Sequence, residues 1–235
     1  MKNIAVILAG GVGTRMGADV PKQFIEVLDK PIIVYTIEKF SIHKNIDEIF
    51  VVCHKDYVEY MLELKEKYDI KKLNSHIIVG GKTAQESIYN ALFYLKNHMS
   101  NSDIVLFHES VRPLVSEEII TDAIEMAQKN GNGMSSYNPY ESFIYSTNSV
   151  FSETTYPRHY LYGVMNPQSV RGDVLFDILN KGYHFEDDYV HSLYDVFARL
   201  GMTMYMSKGS VKNMKLTTTD DLNYFKYYLM TKEGK

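Results

Sequence analysis

Cysteine is all but absent: Cys53 is the only one in 235 residues. No intrachain disulfide can form, and no cysteine cage can hold a metal. Long apolar runs are missing as well. The longest are far too short to cross a bilayer, so no membrane insertion is expected. Neither sign of charge dominates. Lys and Arg number 25 against 29 Asp and Glu, a formal net charge of -4. That balance argues against a general nucleic-acid binder and leaves room for a local basic pocket. Internal repeats and low-complexity linkers are absent too. The opening residues run straight into a glycine loop with no small-residue cleavage site, so a soluble cytoplasmic protein is expected. What is present is ordinary globular material: 45% apolar and 23% charged residues. This suits one domain, or one domain with a protruding arm.

Residues 4–8 form a short, branched apolar run, as expected of a strand buried on both faces. Further strands are expected at 48–52, 76–79 and 103–108. Helices are expected at 31–40, 57–68, 83–96 and 116–129. The first opens on Pro31, and the last is capped by Ser116 ahead of Glu117 and Glu118. Alternation of this kind predicts right-handed crossovers and an α/β fold with a mainly parallel sheet. The pattern changes after Gly131. Residues 134–162 are rich in Tyr, Ser and Thr without a helical period and read as a hairpin or extended arm, with the excursion itself near 138–158. Helices at 174–180 and 190–200, a strand at 202–206 and a closing helix at 219–230 complete the reading.

The segment Leu8-Ala9-Gly10-Gly11-Val12-Gly13-Thr14-Arg15-Met16-Gly17 sits where the first strand ends. Glycines there let backbone N–H groups approach a phosphate with no Cβ in the way. No Gly-Lys-Ser or Gly-Lys-Thr closes it, so it is not a Walker A loop, and its glycine spacing misses the dinucleotide fingerprint. Its distinguishing feature is cationic. Arg15 lies inside the loop, and Lys22 follows in Pro21-Lys22-Gln23-Phe24. Amides and cations together suit a triphosphate. A tight turn with two solvated cations is the plainer reading of a glycine-rich stretch alone, but the combined pattern is too particular for it.

Gly-Gly-x-Gly-Thr-Arg-Met-Gly followed by Pro-Lys-Gln-Phe resembles the cytidylyltransferases that act on polyol phosphates. Later motifs keep the family's order: Gly80-Gly81 with Ser87, then His108-Glu109-Ser110-Val111-Arg112-Pro113, Arg158 ahead of Pro167-Gln168, and Asn213-Met214-Lys215-Leu216-Thr217. The resemblance implies a Rossmann-like domain with a protruding β-arm. It implies that Leu8, Ala9, Gly10, Gly11, Gly13 and Thr14, with Arg15, hold the triphosphate of CTP. Lys22 then lies beside the reacting α-phosphate, and Lys215 reaches it from the end of a late strand. Gly80, Gly81 and Ser87 fall where the family recognises cytosine. Glu109, Ser110, Arg112 and Gln168 are expected on the acceptor side, with Ser142 and Arg158 reaching it from the arm of a neighbouring subunit. A homodimer is expected because a Tyr-rich arm leaving a small domain needs a partner to bury its apolar face, and Mg2+ because it binds triphosphate oxygens, with Glu109 the candidate metal ligand. Two branches compete, one using ribitol 5-phosphate and one using methylerythritol phosphate. Ser110-Val111 and Lys215-Leu216-Thr217-Thr218 lean toward the ribitol branch, and so toward teichoic-acid or capsular polymer synthesis. Lys82, Ala84, Asn166 and Lys212 depart from the family pattern and keep a non-catalytic nucleotide-binding subunit in view.

Other chemistries find no support. His108-Glu109 lacks the second histidine of a zinc protease, since position 112 is Arg. No Gly-x-Ser-x-Gly marks a serine hydrolase. The eight histidines show no clustered ligand spacing.

Overall fold

A computed structural model describes residues 1–11, 20–181 and 192–233. The chain opens with β1 (Asn3–Ala9), followed after the glycine segment by a 3₁₀ turn at Lys22–Phe24. A small antiparallel pair, β2 (Glu26–Val27) and β3 (Lys30–Pro31), leads into α1 (Ile32–Ser41). Then come β4 (Glu48–Cys53), α2 (Val58–Lys67), β5 (Ile78–Val79), α3 (Ala84–Leu95), β6 (Ile104–Glu109) and α4 (Glu117–Asn130). The second half holds β7 (Asn132–Tyr137), the arm strands β8 (Phe143–Tyr145) and β9 (Thr154–Tyr156), and β10 (Gly163–Arg171). It closes with α5 (Gly172–Asn180), α6 (Leu193–Arg199), β11 (Met206–Lys208) and α7 (Thr219–Glu233).

Seven strands form one sheet in the order β11-β7-β10-β6-β1-β4-β5. β1 pairs parallel with both β4 and β6, while β10 runs antiparallel between β6 and β7. Alternation along β1 explains the layering. Ala5, Ile7 and Ala9 face a core shared with α1, α2 and α4, whereas Ile4 and Val6 face a second core under α3, α5 and α6. A strand buried on both faces must be apolar throughout, which is what Ile4–Leu8 provides. Full burial of each such branched side chain contributes about 1.5–3 kcal/mol. A third, smaller cluster joins Val27, Ile32, Val111, Leu216 and Phe225, seating α7 beside the end of β6.

Local signals set the helix ends. Ser116 Oγ accepts from Ile119 N at 3.4 Å, and α4 stops at Gly131, whose φ of 91° is open to glycine and strained for other residues. Thr83 caps α3 by accepting from Glu86 N at 3.0 Å. Thr218 and Asp221 close a reciprocal box at the start of α7: Asp221 N donates to Thr218 Oγ1 and Asp221 Oδ2 accepts from Thr218 N.

Several expectations need correction. Residues 134–137 are not arm but part of β7 in the main sheet. The stretch after the arm, Gly163–Arg171, is a nine-residue central strand that no sequence signal marked. Of 76–79 only Ile78–Val79 is strand, the outermost at one edge of the sheet, pairing with Val52 and Cys53 of β4. The late strand lies at Met206–Lys208 rather than 202–206, pairing parallel with β7 as the outermost strand at the other edge. Pro31 sits at the N-cap of α1, one residue before the helix. The expected helix at 190–200 is described from Ser192 onward and spans Leu193–Arg199.

Candidate active site

The carboxyl ends of β1 and β6 open on one cavity of about 410 Å³. In doubly wound sheets the strand ends at such a point diverge and leave a crevice for ligand. The cavity is lined by the glycine turn (Leu8, Ala9, Gly10, Gly11), by Lys22 and Gln23, by Lys82 to Ala84 and Ser87 of α3's first turns, by Glu109 to Arg112, and by Gln168 and Lys215. Lys22 and Lys215, drawn from opposite ends of the chain, therefore share one cavity. Arg15, Gly13 and Thr14 lie outside the described residues.

The glycine turn is held from two sides. Gln23, 2% exposed, donates from Nε2 to Ala9 O at 2.7 Å and to Gly11 O at 2.9 Å. Across the cavity Ser87 packs against the turn so closely that a Cβ at Gly10 would stand 2.7 Å from its Oγ, and one at Gly80 2.9 Å. The same oxygen accepts from Gly81 N at 3.1 Å and donates to Thr83 O at 2.9 Å. Gly80, Gly81 and Ser87 thus form a single junction between β5 and α3. A Cβ at Gly80 would crowd the serine, and one at Gly81 would stand 2.3 Å from the Glu86 Cβ.

A cationic wall stands opposite. Glu109, at the end of β6, accepts from Arg112 Nε at 2.5 Å through one oxygen and from Lys215 Nζ through the other. Burial alone pushes the Glu109 carboxyl up, but the combined field of Arg112 and Lys215 outweighs it and holds the group down to about 2. Arg112 Nη1 also donates to Asn213 O at 2.8 Å. Asn213, fully buried, donates to Asn166 O at 2.6 Å, and Leu216 N donates to Val111 O at 2.9 Å. The Lys215 segment is pinned on both flanks by backbone contacts. It is an irregular stretch well past β11 and not the end of a strand, as the resemblance had implied.

His108 is a support and not a ligand-facing group. It is fully buried, packs its ring on Phe40 at 4.9 Å, and has Nε2 3.1 Å from Arg112 O. Burial lowers its pKa to about 4, so the ring is neutral near pH 7 and Nε2–H donates to that carbonyl. Ser110 lines the cavity, with its backbone tied to Leu8 O by its N–H and to Thr36 Oγ1 by its carbonyl, at 3.1 and 2.7 Å. Gln168, 2% exposed, spends its Oε1 accepting from Leu193 N at 2.9 Å, which anchors the start of α6.

Ser142 and Arg158 do not meet the cavity within one chain. Ser142 is exposed, and Arg158 Nη1 donates to Tyr140 O at 2.8 Å within the arm. Sequence reasoning missed Gln23, Thr83, Leu193 and Tyr194, all of which line the cavity. Only Gln23 carried a signal, its place after Lys22. Among the described residues no group of three or more His, Cys, Asp or Glu is arranged to hold a metal. Glu109 is the sole carboxylate among the described lining residues, and both its oxygens are taken by cations. That donor set does not fit a magnesium held by the protein itself.

The sheet order, the glycine turn at the end of β1 and the converging lysines define a nucleotidyltransferase fold. The chain matches the family described as IspD, 2-C-methyl-D-erythritol 4-phosphate cytidylyltransferase, over residues 3–231, and it belongs to that family. It is 40% identical to a ribitol-5-phosphate cytidylyltransferase of Lacticaseibacillus paracasei over 97% of this chain and 98% of that one. It is 38% identical to a 2-C-methyl-D-erythritol 4-phosphate cytidylyltransferase of Clostridium perfringens, covering 94% and 96%. Among solved structures, 4-diphosphocytidyl-2C-methyl-D-erythritol synthase of Anaerococcus prevotii superposes with a TM-score of 0.81 at 25% identity, over 97% of this chain and 96% of that one. The protein is a CTP-dependent polyol-phosphate cytidylyltransferase. Among the described residues no helix is long and apolar enough to cross a membrane.

Proposed function

We propose that this enzyme condenses CTP with ribitol 5-phosphate to give CDP-ribitol and pyrophosphate. The observation that carries the chemistry is the meeting of Lys22 and Lys215 in one cavity with the glycine turn. An acceptor phosphate oxygen attacks the α-phosphorus, the new P–O bond forms as the α–β bridging bond breaks, and pyrophosphate departs with the bonding electrons. The acceptor is already an anion near neutral pH, so no general base is needed. The work left to the protein is orientation and neutralisation of charge on the equatorial and leaving oxygens.

The glycine turn and Arg15 hold the triphosphate in this reading. Lys22 and Lys215 flank the α-phosphate, while Arg112 and Glu109 face the polyol. Magnesium enters with the triphosphate as part of the substrate, in keeping with its preference for phosphate oxygens and water over an all-protein cage. The ribitol assignment is supported by Ser110-Val111 and by the Lacticaseibacillus relative.

The second half of the reading is a homodimer joined through the arm. Phe143, Ile144, Tyr145 and Phe151 of the arm stand 45 to 72% exposed, an apolar surface that a lone chain leaves in water. A partner covering it would bring Arg158 and Ser142 to the neighbouring cavity. Pyrophosphate release with CTP, magnesium and a panel of polyol phosphates tests the proposal. Release with ribitol 5-phosphate alone is expected. Release with 2-C-methyl-D-erythritol 4-phosphate alone would transfer the enzyme to the other branch, and CTP binding without release would make it a non-catalytic subunit.

A further inference from the structure

Two buried carboxamides sit beside the two cavity lysines, and one of them reaches the nucleotide turn directly. Gln23 follows Lys22 in the 3₁₀ turn and is 2% exposed. A primary amide has two N–H protons, and Gln23 commits both, to Ala9 O at 2.7 Å and Gly11 O at 2.9 Å. These carbonyls flank Gly10, where a Cβ would stand 2.7 Å from Ser87 Oγ and force the serine to shift. The Gly10 peptide is therefore clamped between a side-chain donor on one side and a packed serine on the other. Because the donor is attached to the residue after Lys22, the same clamp fixes the lysine backbone relative to the turn.

We propose that Gln23 is a positioning residue for the nucleotide: by holding the Ala9 and Gly11 carbonyls its amide sets the glycine turn in the orientation that receives the triphosphate and registers Lys22 against it. This inference rests on the CTP-dependent reading of the cavity and adds a residue to it. The acceptor side is held by a separate set of contacts, Asn213 O on Arg112 and Asn213 Nδ2 on Asn166, which Gln23 does not touch. Loss of the Gln23 amide thus acts on one substrate and spares the other.

Gln23→Met keeps the shape and removes both donors, while Gln23→Asn keeps a donor one methylene too short to span both carbonyls. CTP affinity by calorimetry, KM for each substrate, and melting temperature are to be measured for both variants and the parent. Expected for Gln23→Met is about tenfold weaker CTP binding with the acceptor KM unchanged. Gln23→Asn is expected to fall between, and it decides the matter if the Met variant does not fold. Unchanged CTP affinity in a folded variant overturns the proposal. So does a lowered melting temperature with both KM values raised equally, since that marks a merely structural amide. Failure of the parent itself to bind CTP would instead overturn the reading of the cavity.

Discussion

Glu109 at the end of β6 and Lys215 in the segment before α7, 106 residues apart, form an ion pair inside the cavity, and the other oxygen of Glu109 holds Arg112 at 2.5 Å. One carboxylate therefore joins the cation assigned to the nucleotide with the cation assigned to the acceptor. Glu109→Gln keeps the shape and removes the charge, leaving the two cations facing each other. A stability loss of about 2 kcal/mol is expected, between the values typical of exposed and buried pairs. For a chain of this length that is a drop of roughly 4–8 °C in Tm.

The same pair sets a pH dependence. The folded carboxyl is held at about 2, below its ordinary value of 4.5, so its stabilisation is fully present above pH 4.5 and is lost as pH falls through 2. The Tm gap between the parent and Glu109→Gln is expected to be wide at pH 7 and to close from pH 4.5 downward. Burial of neutral His108, held at about 4 against an ordinary 6.5, destabilises both proteins as pH falls through that interval, and more so the variant, which lacks the Glu109 charge that partly offsets the burial. A gap that stays constant down to pH 3 would contradict the ion-pair account.

Lys22→Ala and Lys215→Ala are each expected to lower kcat about 10²–10³-fold, the usual cost of removing one contact to developing charge. The KM for CTP is expected to rise far less. Pyrophosphate-release kinetics check this, and preserved turnover with loss of CTP affinity alone would remove the transition-state role.

Gln168 lines the cavity, yet its Oε1 is committed to Leu193 N. Gln168→Leu is expected to cost about 1 kcal/mol, as for a lost helix cap. Gln168→Glu retains the acceptor and, at a pH where the new buried carboxyl is protonated, is expected to lose less Tm than Gln168→Leu. Thermal melts of both variants decide; an equal loss in both would show that the cap is not what the residue contributes.

Subunit crossing can be tested by mixing. If Arg158 serves the neighbouring cavity, co-refolded Lys22→Ala and Arg158→Ala subunits regain about a quarter of parental activity, because half of the dimers are mixed and each of these carries one intact site. No recovery would confine each site to its own chain.

The parallel half of the sheet was legible because its strands are apolar on both faces and punctuated by caps at Thr83, Ser116 and Gly131. β7 and β10 were not, and the reason is chemical. Asn132, Ser135, Gln168 and Ser169 are buried polar residues whose side chains are satisfied by distant partners: Ser169 Oγ donates to Ala123 O at 2.7 Å, and Asn132 Nδ2 donates to Thr203 O at 3.0 Å. Hydropathy reads such strands as loop. At the site, residues contiguous with a motif were legible, as Glu109 to Arg112 show. Those brought in by tertiary packing, such as Thr83 and Tyr194, were not.

A structure with CTP bound measures the central relationship most directly. The Nζ atoms of Lys22 and Lys215 are expected within hydrogen-bond reach, about 3 Å, of α-phosphate oxygens. A triphosphate seated on the glycine turn with either lysine turned away from that phosphorus would contradict the account.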